Sequence, residues 1–283
     1  MKPEYQHRKE MIEIGKRVHQ HGWISATDGN FSVKIGDDRI LTTPTGVHKG
    51  YLEMEDFIIV DMEGKKISGT RNPSTEIDMH LTCYKQRPDI SAVIHAHPTF
   101  CIAFSVAGIQ LAQCLLPEVV FTLGSIPTAD YAPPSTDQVS QSIEEPIKEY
   151  DAVILERHGS VTVGKDIFGA YNSLERMEHV AEITYHARAL GNARPMTSDQ
   201  VNELIKIRTG LGLPGKRVTC NDCNACSKFS NCGSAQKSGA MFQPQSEPEK
   251  PKASVTPGVS PELLELITRE VAKELASLSA TPR

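Results

Sequence analysis

No apolar run in the 283-residue chain approaches the ~20 residues that a helix needs to span a bilayer. The opening stretch, MKPEYQHRKEMIEIGKRV, is charged and amphipathic where a signal peptide would be apolar. A cytoplasmic protein with no membrane partner is therefore expected. A basic excess is missing too: 30 Lys and Arg against 35 Asp and Glu leave a formal charge of -5. Nothing in that balance recruits nucleic acid, so small molecules or proteins are the expected partners. A disulfide framework is also excluded, because the seven cysteines are odd in number and a reducing compartment keeps thiols free.

What is present, up to about residue 209, is an alternation of helical and strand patterns. Residues 5–21 read as a helix, and NFSVKI, RILTTP, FIIVDM and KKISG as short strands separated by Gly, Asp and Pro turns. STEIDMHLTCYKQRP has a hydroxyl cap, acids in its first turn and a proline at its end, which predicts a helix. A strand at SAVIHA follows, then helices from Thr99 and over 136–150, a strand pair in DAVILERHGSVTVG and a helix over 166–191. Short hairpin strands mixed with helices predict an α/β sandwich on a largely antiparallel sheet.

After Gly210 the composition turns to Gly, Pro, Ser, Lys and Gln, the signature of a flexible linker over 210–259. Within it, Cys220, Cys223, Cys226 and Cys232 stand in C-x₂-C-x₂-C-x₅-C spacing, a set of thiolates suited to zinc or an iron–sulfur cluster. The alternative reading is a redox-sensitive or unmetallated loop. Over 260–280 order is expected again. Ser260 caps, Pro261 starts the helix, and Leu263, Leu264, Ile267, Val271, Leu275 and Leu278 recur at three- and four-residue spacing.

Chemistry concentrates in four places. In AVIHAHPTF, His95 and His97 are two residues apart on a predicted strand, so their imidazoles share a face, either as half of a metal site or as a surface or hydrogen-bonded core pair. A catalytic zinc takes three protein ligands, and His158 in LERHGSVTVG is the best third. Glu76 in PSTEIDMH, at a helix start, suits an extra ligand or a base. The other seven histidines, His80 among them, read as solvated or structural. Finally, ATDGNFS, TPTGVHKG and NPSTE each join small hydroxyl or amide side chains to a turn, the ingredients of a phosphate cradle.

The stretches ATDGNFS, ILTTPTG, PSTEIDMH, VIHAHP and LERHGSVTVG, in that order, resemble the motifs of the class II aldolase/adducin family over about residues 5–210. The resemblance implies a three-layer α/β/α sandwich with a mostly antiparallel sheet, a homotetramer with active sites between subunits, and one Zn²⁺ per subunit. It implies His95, His97 and His158 as metal ligands, with Glu76 as a fourth ligand and the catalytic acid/base. Thr27, Gly29, Asn30, Thr45, Gly46, Ser74 and Thr75 would hold the substrate phosphate. The implied reaction splits L-fuculose 1-phosphate, or a relative such as L-rhamnulose 1-phosphate, into dihydroxyacetone phosphate and L-lactaldehyde. Phosphopentose 4-epimerases resemble the same pattern but usually carry Asp where this chain has Glu76. An adducin-like binding module would be expected to lose the ligands, and here all are intact. One departure concerns the tyrosine that donates a proton to the aldehyde fragment: none stands at the matching place around CLLPEVVFT, and Tyr131 is the candidate substitute. The helix over 260–280 resembles the encapsulation peptides that load enzymes into bacterial microcompartments, docking through one apolar face on shell or cargo proteins.

Overall fold

The computed structural model describes residues 2–111, 114–191 and 193–212. The elements run α1 (Glu4–Gln20), β1 (Asn30–Gly36), β2 (Arg39–Thr42), a 3₁₀ turn (Lys49–Tyr51), β3 (Ile58–Val60), β4 (Lys66–Ser68), α2 (Ile77–Gln86), β5 (Ala92–Ala96) and α3 (Thr99–Val106). They continue with α4 (Pro117–Thr122), β6 (Thr128–Ala129), α5 (Asp137–Glu149), β7 (Ala152–Leu155), β8 (Gly159–Gly164), α6 (Ile167–Ala189) and α7 (Ser198–Gly210). The strands form one eight-stranded sheet in the order β4-β3-β2-β1-β5-β8-β7-β6. Every pairing is antiparallel except β6 with β7. The expected α/β/α sandwich on a mostly antiparallel sheet is what the chain forms.

The two-residue period of the strands sorts their side chains into two cores. Phe31, Val33, Leu41, Ile59, Ile94 and Ile154 pack on one face with Met11, Ile14 and Val18 of α1, Phe104 of α3 and Leu174 and Met177 of α6. Ile40, Ile58, Val60, Val93, Val153, Val161 and Val163 pack on the other with Met79 and Leu81 of α2 and Ile143 and Ile147 of α5. Apart from β4, whose three residues are exposed, the strands are largely buried on both faces, which is why most of them read as apolar runs.

Three elements differ from expectation. The two-residue β6, the six-residue α4 and the helix α7 were not anticipated as such. The first two are too short for any periodicity to show. For α7 a signal existed: Thr197 and Gln200 form a reciprocal capping box, the S/T-x-x-E/Q pattern that announces a helix start. The segments over 210–259 and 260–280, with Cys220, Cys223, Cys226 and Cys232, lie outside the described residues from 213 onward. Cys83, Cys101 and Cys114 are buried, and none is in a disulfide among the described residues. Among the described residues no helix is long and apolar enough to cross a membrane.

Candidate active site

His95 lies in β5 and is fully buried. His97 follows one residue past the strand end, where its N–H donates to the Trp23 carbonyl at 2.7 Å. Glu178 of α6 then takes the Phe100 and Cys101 N–H groups at the start of α3, at 2.8 and 2.9 Å, which fixes the exit from the strand. His158 sits in the turn between β7 and β8 behind Arg157, a non-glycine residue at φ 57°. Such left-handed backbone is costly for a side chain with a Cβ and tends to mark functional turns. Gly159 must be glycine for a different reason: a Cβ there would fall 2.6 Å from the Ala96 carbonyl oxygen and 2.7 Å from the His97 ring.

These turns bring three imidazoles together, one ligand atom from each lying within 4.8 Å of the others. His95 Nε2 and His97 Nε2 are 3.1 Å apart. The Nδ1 of His95 faces the Ser160 carbonyl at 2.9 Å, so Nδ1 carries the proton and the Nε2 lone pair turns into the cluster. That backbone anchor is how metal-binding histidines are commonly oriented. His95 and His97 are both held down to about 4, first by burial, so both are neutral near pH 7, the form that binds metal. The cluster fits a divalent ion by donor type, count and protonation.

Glu76 stands at the N-cap position of α2 with its carboxylate on the cluster. Its two oxygens lie 3.3 Å from His95 Nε2 and 3.3 Å from His158 Nε2. Burial works to raise this carboxyl, but the hydrogen bond to His158, the neighbouring imidazoles and Asn30 prevail and hold it well below the usual carboxylate range. Asn30 donates its amide to Glu76 Oε2 at 2.9 Å. Its carbonyl oxygen meets His80 Nε2, while His80 Nδ1 contacts Ser32 Oγ at 2.6 Å and Ser32 contacts the Tyr84 hydroxyl at 2.8 Å. A buried chain Tyr84, Ser32, His80, Asn30 thus ends on the carboxylate. Asn30 and Ser32 alternate with Phe31 and Val33 along β1, and His80 and Tyr84 are one and two turns past Glu76 on α2, so the two periodicities align the chain.

This chain gives the protein an acid sensitivity. His80 is wholly buried and is pushed down to about 4 by burial, the Glu76 charge acting the other way. The unfolded chain would take up a proton near 6.5 that the folded state refuses, so the stability His80 contributes is complete above about 6.5 and is lost as pH falls toward about 4. The expected loss is about 3 kcal/mol at the acid end. Urea midpoints of metal-free protein should drop through that window, and a profile flat from pH 7 to 4.5 would contradict the buried neutral imidazole.

The three hydroxyl-rich loops meet beside the cluster. Pro44 and Pro73 form an isolated antiparallel bridge, and the Thr45 N–H donates to the Asn72 carbonyl at 3.0 Å, which stitches the second loop to the third. Gly29 and Gly46 take φ of 70° and 69°. At Gly29 space matters as well, since a Cβ would sit 2.9 Å from the His95 carbonyl oxygen. Thr27, Thr45, Gly46 and Thr75 are exposed. Ser74 is buried and accepts the Glu76 N–H at 3.2 Å, while Thr75 Oγ1 meets Ser135 Oγ at 2.8 Å. Asn30 is committed to Glu76 and His80 and lines the base of the site. Tyr131 is 57% exposed, in the segment after β6.

Sequence reasoning treated His80 as solvated or structural and passed over Ser32, Tyr84 and Lys49. His80 is structural in the strict sense that it touches no other imidazole of the cluster, yet it supports Asn30 behind the carboxylate. The four-residue spacing from Glu76 to His80 was the available signal. Lys49 had none, because its burial depends on packing between α1 and the 3₁₀ turn.

Known proteins resemble this chain in sequence and in fold. An "L-fuculose phosphate aldolase" of Methanococcus maripaludis is 36% identical over 176 residues, covering 62% of this chain and 94% of that protein. A "3-oxo-tetronate 4-phosphate decarboxylase" of Pectobacterium atrosepticum is 31% identical over 207 residues, covering 71% and 93%. The crystal structure of YgbL from Klebsiella pneumoniae, whose description offers aldolase, epimerase and decarboxylase as alternatives, superposes with a TM-score of 0.67 at 31% identity, covering 72% of this chain and all of that one. The family described as Class II Aldolase and Adducin N-terminal domain matches residues 9–185, from within α1 to near the end of α6, and so takes in every histidine, carboxylate and loop of the site. The chain belongs to the class II aldolase and adducin family.

Proposed function

We propose that this protein is a metal-dependent aldolase that cleaves a deoxyketose 1-phosphate, L-fuculose 1-phosphate or its relative L-rhamnulose 1-phosphate, to dihydroxyacetone phosphate and L-lactaldehyde. The observation that carries the reading is the meeting of His95, His97, His158 and Glu76 beside three joined hydroxyl-rich loops. His95, His97 and His158 would hold Zn²⁺, an ion that three imidazoles and a carboxylate suit. When bound, the ion acts as a Lewis acid toward the negative charge that develops on the triose-phosphate fragment as the carbon–carbon bond breaks. Glu76, held ionised by its neighbours, exchanges the proton at the carbon that gains that charge. Thr27, Thr45, Gly46, Ser74 and Thr75 place the phosphate, with exposed hydroxyls and backbone N–H groups doing the binding. A homotetramer and cargo status in a microcompartment extend the same reading; the support for the second is the sequence over 260–280 alone.

A second reading is favoured by two observations. One relative is a 3-oxo-tetronate 4-phosphate decarboxylase, and no tyrosine stands near CLLPEVVFT to serve the aldehyde fragment. Loss of CO₂ from such a 3-oxo acid leaves the same charge on the same triose phosphate, and CO₂ departs from a carboxylate with no hydroxyl proton to be removed, as there is when an aldehyde departs. A substrate panel on purified, metal-assayed protein separates the readings. Dihydroxyacetone phosphate with lactaldehyde is the expected product; dihydroxyacetone phosphate with CO₂ from the 3-oxo acid would make it a decarboxylase. Interconversion of ribulose and xylulose 5-phosphates without triose would make it an epimerase.

A further inference from the structure

Lys49 is the one charged side chain among the largest fully buried ones, at 2% exposure. It lies at the head of the 3₁₀ turn, and that turn is pressed onto α1 so closely that two glycines are needed. A Cβ at Gly15 would sit 2.1 Å from the Lys49 carbonyl oxygen, and one at Gly50 would sit 2.6 Å from the His19 ring. The lysine therefore has a rigid base. Its Nζ donates to the Thr27 carbonyl at 2.6 Å and to the Val47 carbonyl at 2.8 Å. Thr27 belongs to the first hydroxyl-rich loop and Val47 to the second, so one ammonium ties both together, as the Pro44–Pro73 bridge ties the second to the third.

An ammonium has three donors, and two are used here. Among the described residues no carboxylate lies within ion-pair distance of Nζ; Asp28 and Glu76 act on it only from farther away. A buried cation without an ionic partner is costly, and a fold that keeps one generally has an anion to set against it. Burial pushes Lys49 down to about 8, which still leaves it mostly charged near neutrality and ready to gain from an incoming anion. Lysine serves phosphate as a compact point charge, unlike the forked guanidinium.

We propose that Lys49 is the counter-charge of the phosphate site, directing its third N–H to the phosphate of the substrate while its other two hold the first and second loops in place. The inference rests on the phosphate-ester reading above, and inorganic phosphate is the probe that separates the two. Wild-type protein with its metal should bind inorganic phosphate at one site per chain in calorimetry. Lys49→Met should weaken that binding 10- to 100-fold and raise KM for the phosphorylated substrate by a similar factor, with kcat within about threefold and bound metal unchanged. Lys49→Arg should recover part of the phosphate affinity. Folded Lys49→Met that binds phosphate within twofold of wild type would reduce Lys49 to a loop clamp and overturn the proposal, leaving the phosphate site itself standing. Wild-type protein that binds no phosphate at tens of millimolar would overturn both. Should Lys49→Met not fold, the wild-type protein with 13C at lysine Cε decides: phosphate should move the Lys49 signal, assigned from Lys49→Arg, and an unmoved signal overturns the proposal.

Discussion

His95→Ala is expected to remove bound metal and turnover together. The imidazole is fully buried, its Nε2 is 3.1 Å from His97 Nε2 and 3.3 Å from Glu76, and its Nδ1 is anchored on Ser160. No side chain on either neighbouring strand can replace it, because its β1 partner is Asn30, committed elsewhere, and its β8 partner is Val161. Loss of a preorganised electrostatic group in a dry site costs about 10²–10³ in kcat, and loss of the ion it holds should reach at least that. Metal content by plasma emission and product release by a coupled assay are measured on the same sample. Full turnover by metal-free His95→Ala protein would end the metal mechanism. A circular dichroism spectrum and melt of the variant separate that result from collapse of β5.

The second large effect belongs to Glu76→Gln. The amide is nearly the shape of the carboxylate and can keep the hydrogen bond from Asn30, so the fold and the cluster should survive. What it cannot do is carry charge between two imidazoles or take up a proton. General acid–base groups supply about 10²–10⁴ in rate, and a fall of kcat in that range is expected. If Glu76 were only a ligand, excess metal would restore the rate; the expected outcome is that saturating metal leaves kcat low. Retention of at least a tenth of wild-type kcat would remove Glu76 from the proton transfer. Because the carboxyl is held well below its ordinary range by His158, His95 and Asn30, the free enzyme should have this base ionised throughout the usual assay range. The acid limb of the rate profile should then follow unfolding or metal loss, both tied to histidine protonation.

Much of this protein was legible before any coordinates. The short apolar strand runs, the hydroxyl and acid residues at the start of α2, and the turn chemistry between elements are local, and local rules suffice to place α1, β1 to β5, α2, α3, α5, β7, β8 and α6 within about three residues. His95 and His97 were readable as a pair because two residues along a strand is one face. Residue type and local setting nominate His158 and Glu76 as their companions, and the resemblance of five ordered motifs is what joins the four. No spacing rule joins residues 82 positions apart.

Tertiary structure alone decided the rest. The strand order places β5 between β1 and β8, and that adjacency lays His95 beside Asn30 on one side and beside the His158 turn on the other. The same adjacency makes Asn30 of the first loop a link between Glu76 and His80 as well. Lys49 is the clearest case. In the sequence it is one of 30 basic residues, and nothing around TPTGVHKG marks it. Its burial comes from the close approach of the 3₁₀ turn to Gly15 of α1, a contact between segments more than thirty residues apart. Sequence determined which residues could do chemistry, since side-chain type and short-range period are properties of the chain. The fold determined which of them meet, because only packing brings distant backbone within hydrogen-bond reach and strips a charge of its water.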